Sequence, residues 1–125
     1  MNLLLDTHTL IWALEDNPSL SALARVAIVD GENMVFVSAV SVWEISIKKA
    51  LGKLEAPDTL LDEIERIRFT PLDITLEHAD RAGKLPAIHL DPFDRMLIAQ
   101  AQSEQLTLIT RDAEIQKYQV RCLVT

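Results

Sequence analysis

Three short apolar runs, each closing on polar residues, constrain this chain more than any other feature. Leu3-Leu4-Leu5 stops at Asp6, and Met34-Val35-Phe36-Val37 stops at Ser38. Leu106-Thr107-Leu108-Ile109-Thr110 runs into Arg111 and Asp112. A run of this length without polar alternation matches a strand buried on both faces, as in a parallel sheet covered by helices. A late strand over 120–124 and a short edge strand over 69–74, broken by Pro71, complete a sheet of about five strands.

The segments between these runs carry helical patterns. Helices are expected at Thr7–Glu15, at 19–29 with Ser19 as N-cap, and at 40–51 with Gly52 as C-cap. Further helices are expected from Pro57 to 67, over 75–82 ending at Gly83, and from Asp91-Pro92 to 105. Alternation of strand and helix predicts an α/β fold of three layers, a central, mostly parallel sheet flanked by helices. With only 3 Gly, the connections must be short, and 125 residues suit one domain spanning 1–125.

In such sheets the working site lies beyond the carboxyl ends of the strands, which directs attention to particular acids. Asp6 follows the first run and Asp112 follows the third. Alone, each is explained as a helix N-cap, Asp112 for a turn over 113–117. Glu44 lies about one turn into its helix, on the side of Val40, Ile47 and Leu51, with Lys48 four residues on. A plain surface pair with Lys48 explains Glu44 as well as a site does. Asp94 is harder to dismiss, because Leu97, Ile98 and Ala101 lie at about −60°, +40° and −20° from it around the helix. A carboxylate on that apolar stripe costs several kcal/mol unless a cation joins it. Asp91 is expected as the N-cap of the same helix, with Asp94 completing a capping box.

Asp6, Glu44, Asp94 and Asp112 thus converge on one sheet edge, where like charges repel unless cations bind. Oxygen donors select hard ions such as Mg2+ or Mn2+, one or two per site, and paired ions activate water for phosphodiester cleavage. The net charge of −7 argues against a broad basic nucleic-acid face, yet two divalent ions would shift it by +4 to −3. The residues alone therefore point to metal-dependent phosphoryl transfer, and they do not name RNA. Competing readings are a receiver-type phospho-accepting domain, a Mg2+-dependent phosphoesterase and a silent binding module. The receiver reading is weakened because Thr7, not a second acid, follows Asp6, and no Lys follows Thr110.

Four blocks carry a family resemblance: Leu4-Leu5-Asp6-Thr7-His8-Thr9-Leu10-Ile11-Trp12; Ser41-Val42-Trp43-Glu44-Ile45; His89-Leu90-Asp91-Pro92-Phe93-Asp94-Arg95-Met96-Leu97-Ile98-Ala99-Gln100-Ala101; and Thr110-Arg111-Asp112. In this order they resemble the PIN domain, and within it the VapC toxins of bacterial type II toxin–antitoxin pairs. The resemblance implies a Mg2+- or Mn2+-dependent endoribonuclease acting on RNA, tRNA included, that forms a homodimer and is neutralised by a cognate antitoxin. It carries Asp6, Glu44, Asp94 and Asp112 over as metal-binding and catalytic acids, with Asp91 secondary.

Around these acids, Thr7, Ser38 and Thr110 are candidate hydroxyls for orienting a carboxylate or phosphate. Arg95, Lys48 and Arg111 are candidate phosphate contacts. His8 and His89 are expected to be packed or hydrogen-bonded rather than general bases, and Trp12 and Trp43 to be core or interface. Cys122 is expected as an inert packed thiol. A single cysteine excludes an internal disulfide and suits a reducing cytoplasm, and no apolar run approaches a membrane span.

Overall fold

Leu3, Leu4 and Leu5 are fully buried, and their alternation along strand β1 (Asn2–Leu5) divides the interior into two cores. In the computed structural model, which describes residues 1–125, β1 is followed by α1 (Thr7–Glu15), α2 (Ala22–Val29), β2 (Met34–Ser38) and α3 (Ala39–Ala50). Then come α4 (Leu60–Arg66), β3 (Thr70–Leu72), α5 (Leu76–Lys84), α6 (Pro92–Glu104), β4 (Thr107–Thr110), a 3-10 turn (Ile115–Lys117) and β5 (Cys122–Val124).

The five strands pair in the order β3-β2-β1-β4-β5. Every pairing is parallel, so the sheet is wholly rather than mostly parallel. Leu4 of the central strand lies opposite Phe36 on one side and Leu108 on the other. The winding reverses between β1 and β4, which makes that junction the switch point where such sheets leave a crevice.

Leu3, Leu5 and Ile109 face α1, α2 and α4 through Leu10, Ala24, Ala27, Leu60 and Ile64. Leu4 and Leu108 face α6 and the 3-10 turn through Leu97, Ile98, Ala101 and Ile115. Helix α3 joins both layers, placing Val40 in one core and Ile45 in the other, and packs against both α1 and α6. Each fully buried Leu or Ile contributes roughly 1.5–3 kcal/mol, which fixes α1, α3 and α6 around the switch point. No helix is long and apolar enough to cross a membrane.

Several boundaries differ from the sequence expectation for local reasons. Ser21, not Ser19, caps α2 by accepting from Ala24 N at 3.1 Å. Helix α4 begins at Leu60, and neither Pro57 nor Thr59 provides a side-chain cap. Helix α5 continues through Gly83 to Lys84. Pro71 sits inside β3, where it is tolerated because an edge strand pairs on one side only. Gly52 ends α3 as expected, with φ +70° and a bond pattern in which Lys53 N donates to Lys48 O and Gly52 N to Lys49 O.

Candidate metal centre

The carboxyl ends of β1 and β4 open into a cleft of about 560 Å3 lined by Asp6, Thr7, His8, Trp12, Glu44, Lys48, His89, Asp91, Asp94, Arg111 and Asp112. All four expected acids are in this lining. Asp6 is held by the sheet itself, since its N–H donates to Ile109 O at 3.2 Å. Its side chain also caps α1 by accepting from Thr9 N at 2.9 Å. Capping and cleft-lining are therefore compatible uses of one carboxylate.

Glu44 is only 5% exposed although it sits on a helix. The Thr7 hydroxyl donates to its Oε1 at 2.6 Å, and the Lys48 ammonium donates to its Oε2. Lys48 is thus both the i,i+4 partner of Glu44 and a wall of the cleft. The Glu44 hydrogen bond raises the Lys48 pKa, burial opposes it, and the charges of Glu44, Asp91 and Asp94 add to the rise. The expected role of Thr7 in orienting a carboxylate is met. Ser41, one turn before Glu44, donates to Thr7 Oγ1 at 3.2 Å and escaped the sequence reading, although i,i+3 spacing places it on the same face.

Asp94 lies in the first turn of α6, and its stripe partners Leu97 and Ile98 are fully buried. Burial, reinforced by the negative charge of Asp91, pushes its carboxyl up to about 7 against the pull of His89. The capping box expected with Asp91 does not form. Asp91 caps the helix alone, accepting from Phe93 N at 2.8 Å and Asp94 N at 3.3 Å. Asp94 Oδ2 instead meets His89 Nε2 at 2.9 Å.

The same Nε2 lies 3.2 Å from Asp112 Oδ2. Burial disfavours the charged ring, but the hydrogen bonds and charges of Asp94 and Asp112 together raise the His89 pKa. Asp112 Oδ1 accepts from Glu114 N at 2.8 Å, fixing the turn that leads to the 3-10 segment. Thr110 accepts from Asp112 N at 3.0 Å, so it orients the acid through its backbone. His89 was expected to be hydrogen-bonded; its position between two acids was not foreseen.

Two expected site residues lie elsewhere. Ser38 caps α3 through Val40 N at 3.0 Å and orients neither a carboxylate nor a phosphate in the cleft. Arg95 is not in the lining, and its guanidinium is occupied by the carbonyls of Ala82, Leu85, Pro86 and His89. It closes the C-terminal end of α5 rather than meeting a phosphate. Arg111 lines the cleft but also donates to Thr125 O at 2.6 Å and stacks 4.6 Å above the Trp12 ring.

The aromatic residues divide. Half-buried Trp12 packs against the core, with exposed His8 tilted against it at 5.8 Å. Trp43 is 59% exposed, which excludes a core role, and meets Phe93 edge-on at 5.5 Å. Cys122 is half-buried, and burial followed by the charge of Asp6 raises its thiol pKa, as an inert thiol requires.

Five carboxylates in this lining face two permanent cations, Lys48 and Arg111. His89, Asp94 and Asp112 each offer a donor atom within 4.8 Å of the other two. Asp6 and Glu44 border the same space outside that tight group. An oxygen-rich donor set and a carboxyl that burial and the charge of Asp91 push up to about 7 both fit a hard divalent cation.

Fold and cleft together define the class: a doubly wound α/β domain with an acidic centre at its switch point. The chain belongs to the PIN domain family, whose model matches residues 3–120. Among solved structures, it is similar to a chain of VapBC2 from Rickettsia felis bound to promoter DNA, with TM-score 0.74 and 14% identity over 99% of this chain and 98% of that one. It is also similar to a chain of DNA-bound VapBC from Salmonella typhimurium, with TM-score 0.71 and 20% identity over 99% and 98%. A toxin–antitoxin complex from Klebsiella pneumoniae gives TM-score 0.68 and 21% identity over 97% and 95%. No curated protein sequence matches the chain.

Proposed function

We propose that this protein is a divalent-metal-dependent endoribonuclease of the VapC toxin type, held inactive by a cognate antitoxin. The observation that carries the reading is the shared cleft of Asp6, Glu44, Asp94 and Asp112 in a PIN-family chain, with Asp94 pushed up to about 7. In this reading Asp6, Asp94 and Asp112 hold one or two Mg2+ or Mn2+ ions, and Glu44 completes the acid set. When bound, a divalent ion supplies a Lewis acid that lowers the pKa of water and offsets charge on a phosphodiester.

The chain's own residues do the rest. Thr7 and Lys48 fix both oxygens of Glu44, so that carboxylate enters the reaction already oriented. Lys48 offers its remaining ammonium protons to a phosphate oxygen at the cleft wall. Arg111 braces Trp12 beside the opening. Partial burial of Asp94 on the α6 stripe beside Leu97 and Ile98 limits water around it, which strengthens each charge interaction there.

The antitoxin part of the proposal follows the complexes named above, with a homodimer as the toxin's own assembly. Leu23, Val26 and Val29 on α2 are 65%, 64% and 75% exposed at helical spacing, an apolar face suited to a partner helix. The test is cleavage of total tRNA by antitoxin-free protein with Mn2+ or with EDTA, wild type beside Asp94→Asn. Discrete fragments that require metal and vanish in the variant are expected. Folded, Mn2+-loaded wild type that cuts no RNA would overturn the ribonuclease assignment.

A further inference from the structure

We propose that His89 Nε2 is a nitrogen ligand of the divalent-cation site it shares with Asp94 and Asp112, and that it biases this site toward Mn2+ over Mg2+. The inference rests on the metal-centre reading above and adds a donor that the four-acid pattern lacks.

The first support is spacing. His89 Nε2 lies 2.9 Å from Asp94 Oδ2 and 3.2 Å from Asp112 Oδ2. Neighbouring donors around an octahedral ion at bond lengths near 2.1 Å stand ~3 Å apart. Two of the three spacings therefore already lie close to the edges of such an octahedron, and the third falls within 4.8 Å.

A hydrogen bond alone would produce the same distances, so the fixing of the backbone matters more. His89 belongs to the connection between α5 and α6, whose residues Pro86, Ala87, Ile88 and Leu90 are exposed. Its N–H donates to Tyr118 Oη at 2.8 Å, and its carbonyl accepts from Arg95 Nη1 at 3.1 Å. Tyr118 Oη donates in turn to Pro86 O at 2.6 Å. Arg95 also holds the carbonyls of Ala82 and Leu85 at 2.9 Å each. Both backbone groups of His89 are thus pinned, within a connection whose Leu85 and Pro86 carbonyls are held by the same two side chains, and His89 carries its ring to the acids. Such fixing is what a ligand needs to meet an ion without an ordering cost. It also gives Arg95 and Tyr118 a positioning role that Arg95's place in the motif does not reveal.

The donor type sets the consequence. Mg2+ is hard and keeps oxygen ligands, whereas Mn2+ accepts an imidazole more readily, so one nitrogen among oxygens tilts the choice. The experiment uses the full chain, free of metal and at mildly alkaline pH, titrated with Mn2+ and read by electron paramagnetic resonance. Pulsed measurements on the bound ion detect a directly ligated nitrogen.

Nitrogen coupling is expected in wild type and is expected to vanish in His89→Ala. The Mn2+ dissociation constant of that variant rises on the order of tenfold, and its Mg2+ constant, from competition, moves by less than about threefold. Circular dichroism checks that the variants fold. Mn2+ that binds in an Asp94-dependent way without nitrogen coupling overturns the His89 assignment and leaves the acid centre standing. Equal or tighter Mn2+ binding by His89→Ala does the same. No Mn2+ binding by wild type, or binding that Asp94→Asn leaves unchanged, overturns the metal centre and this inference together.

Discussion

Helices α5 and α6 pack against each other and begin alike, yet they use the third residue of the first turn in opposite ways. In α5, Thr75 Oγ1 accepts from His78 N and His78 Nδ1 accepts from Thr75 N, both at 3.1 Å. The ring is 1% exposed, and its Nε2 turns to Glu104 at 3.1 Å, so its polar atoms are occupied close to home. In α6 the corresponding residue is Asp94. Asp91 caps the helix without a return bond, and Asp94 reaches across to His89 and the cleft. A buried polar side chain whose bonds close on its own cap and on the helix packed against it serves folding. One whose side chain reaches into an open cleft is available for chemistry, and burial with the charge of Asp91 raises the Asp94 pKa.

The largest test of this contrast exchanges the two losses. Asp94→Asn keeps the shape of the side chain and removes a charge from a buried, acid-rich place, so the fold is expected to hold. Metal-dependent RNA cleavage is expected to fall on the order of a hundredfold or more. His78→Ala should do the reverse, costing roughly 2–4 kcal/mol through the lost capping box and the space left behind, with little effect on cleavage by the folded fraction. Urea denaturation and a gel assay of tRNA fragments read both variants. Cleavage lost in folded His78→Ala, or retained in Asp94→Asn, would break the division between the two helix starts.

A second test uses pH. Asp94 is an acid whose pKa rises from 3.8 to about 7 on folding, so the folded protein binds more protons between those values. Its contribution is therefore lost as pH increases: neutral on the acid side, unfavourable once the carboxyl ionises. In EDTA, the stability of wild type minus that of Asp94→Asn is expected to fall by roughly 2–4 kcal/mol between pH 4 and 8. Mn2+ at a hundred times its dissociation constant should return ~2.7 kcal/mol to wild type at the upper pH and nothing comparable to the variant. A difference that stays flat or rises with pH would mean that the carboxylate is already compensated within the chain.

Much of this was legible in the sequence because burial leaves a periodic trace. The apolar runs marked β1, β2 and β4, and the stripe of Leu97, Ile98 and Ala101 exposed Asp94 as a carboxylate out of place. Asp6 and Asp112 were readable from their position after strands. The remainder depends on contacts that no period encodes. His89 lies in an irregular connection, and only the folded path of that connection brings it between Asp94 and Asp112. Arg95 resembles a phosphate ligand by charge and by its place after Asp94, but four carbonyls from a separate segment claim it. Ser19 and Ser21 are equally good caps by residue type; the position of the helix axis decides between them.

The smallest expected effect separates depth from charge as the origin of Asp94's pKa. Asn caps helices about as well as Asp, so Asp91→Asn should alter stability by no more than a few tenths of a kcal/mol. It nevertheless removes the charge that, after burial, does most to raise Asp94. The Asp94 midpoint, followed by carboxyl-carbon NMR in metal-free protein, is therefore expected to move below its wild-type position near 7. Thr75→Ala at the start of α5 supplies the comparison: about 1 kcal/mol of stability lost with no movement of Asp94. If Asp91→Asn leaves the midpoint in place, burial sets it without help from the cap, and α6 differs from α5 by where its first turn lies in the fold. If the midpoint falls, the difference is also written into the cap itself, whose acidity keeps its neighbour short of a counter-charge until a cation arrives.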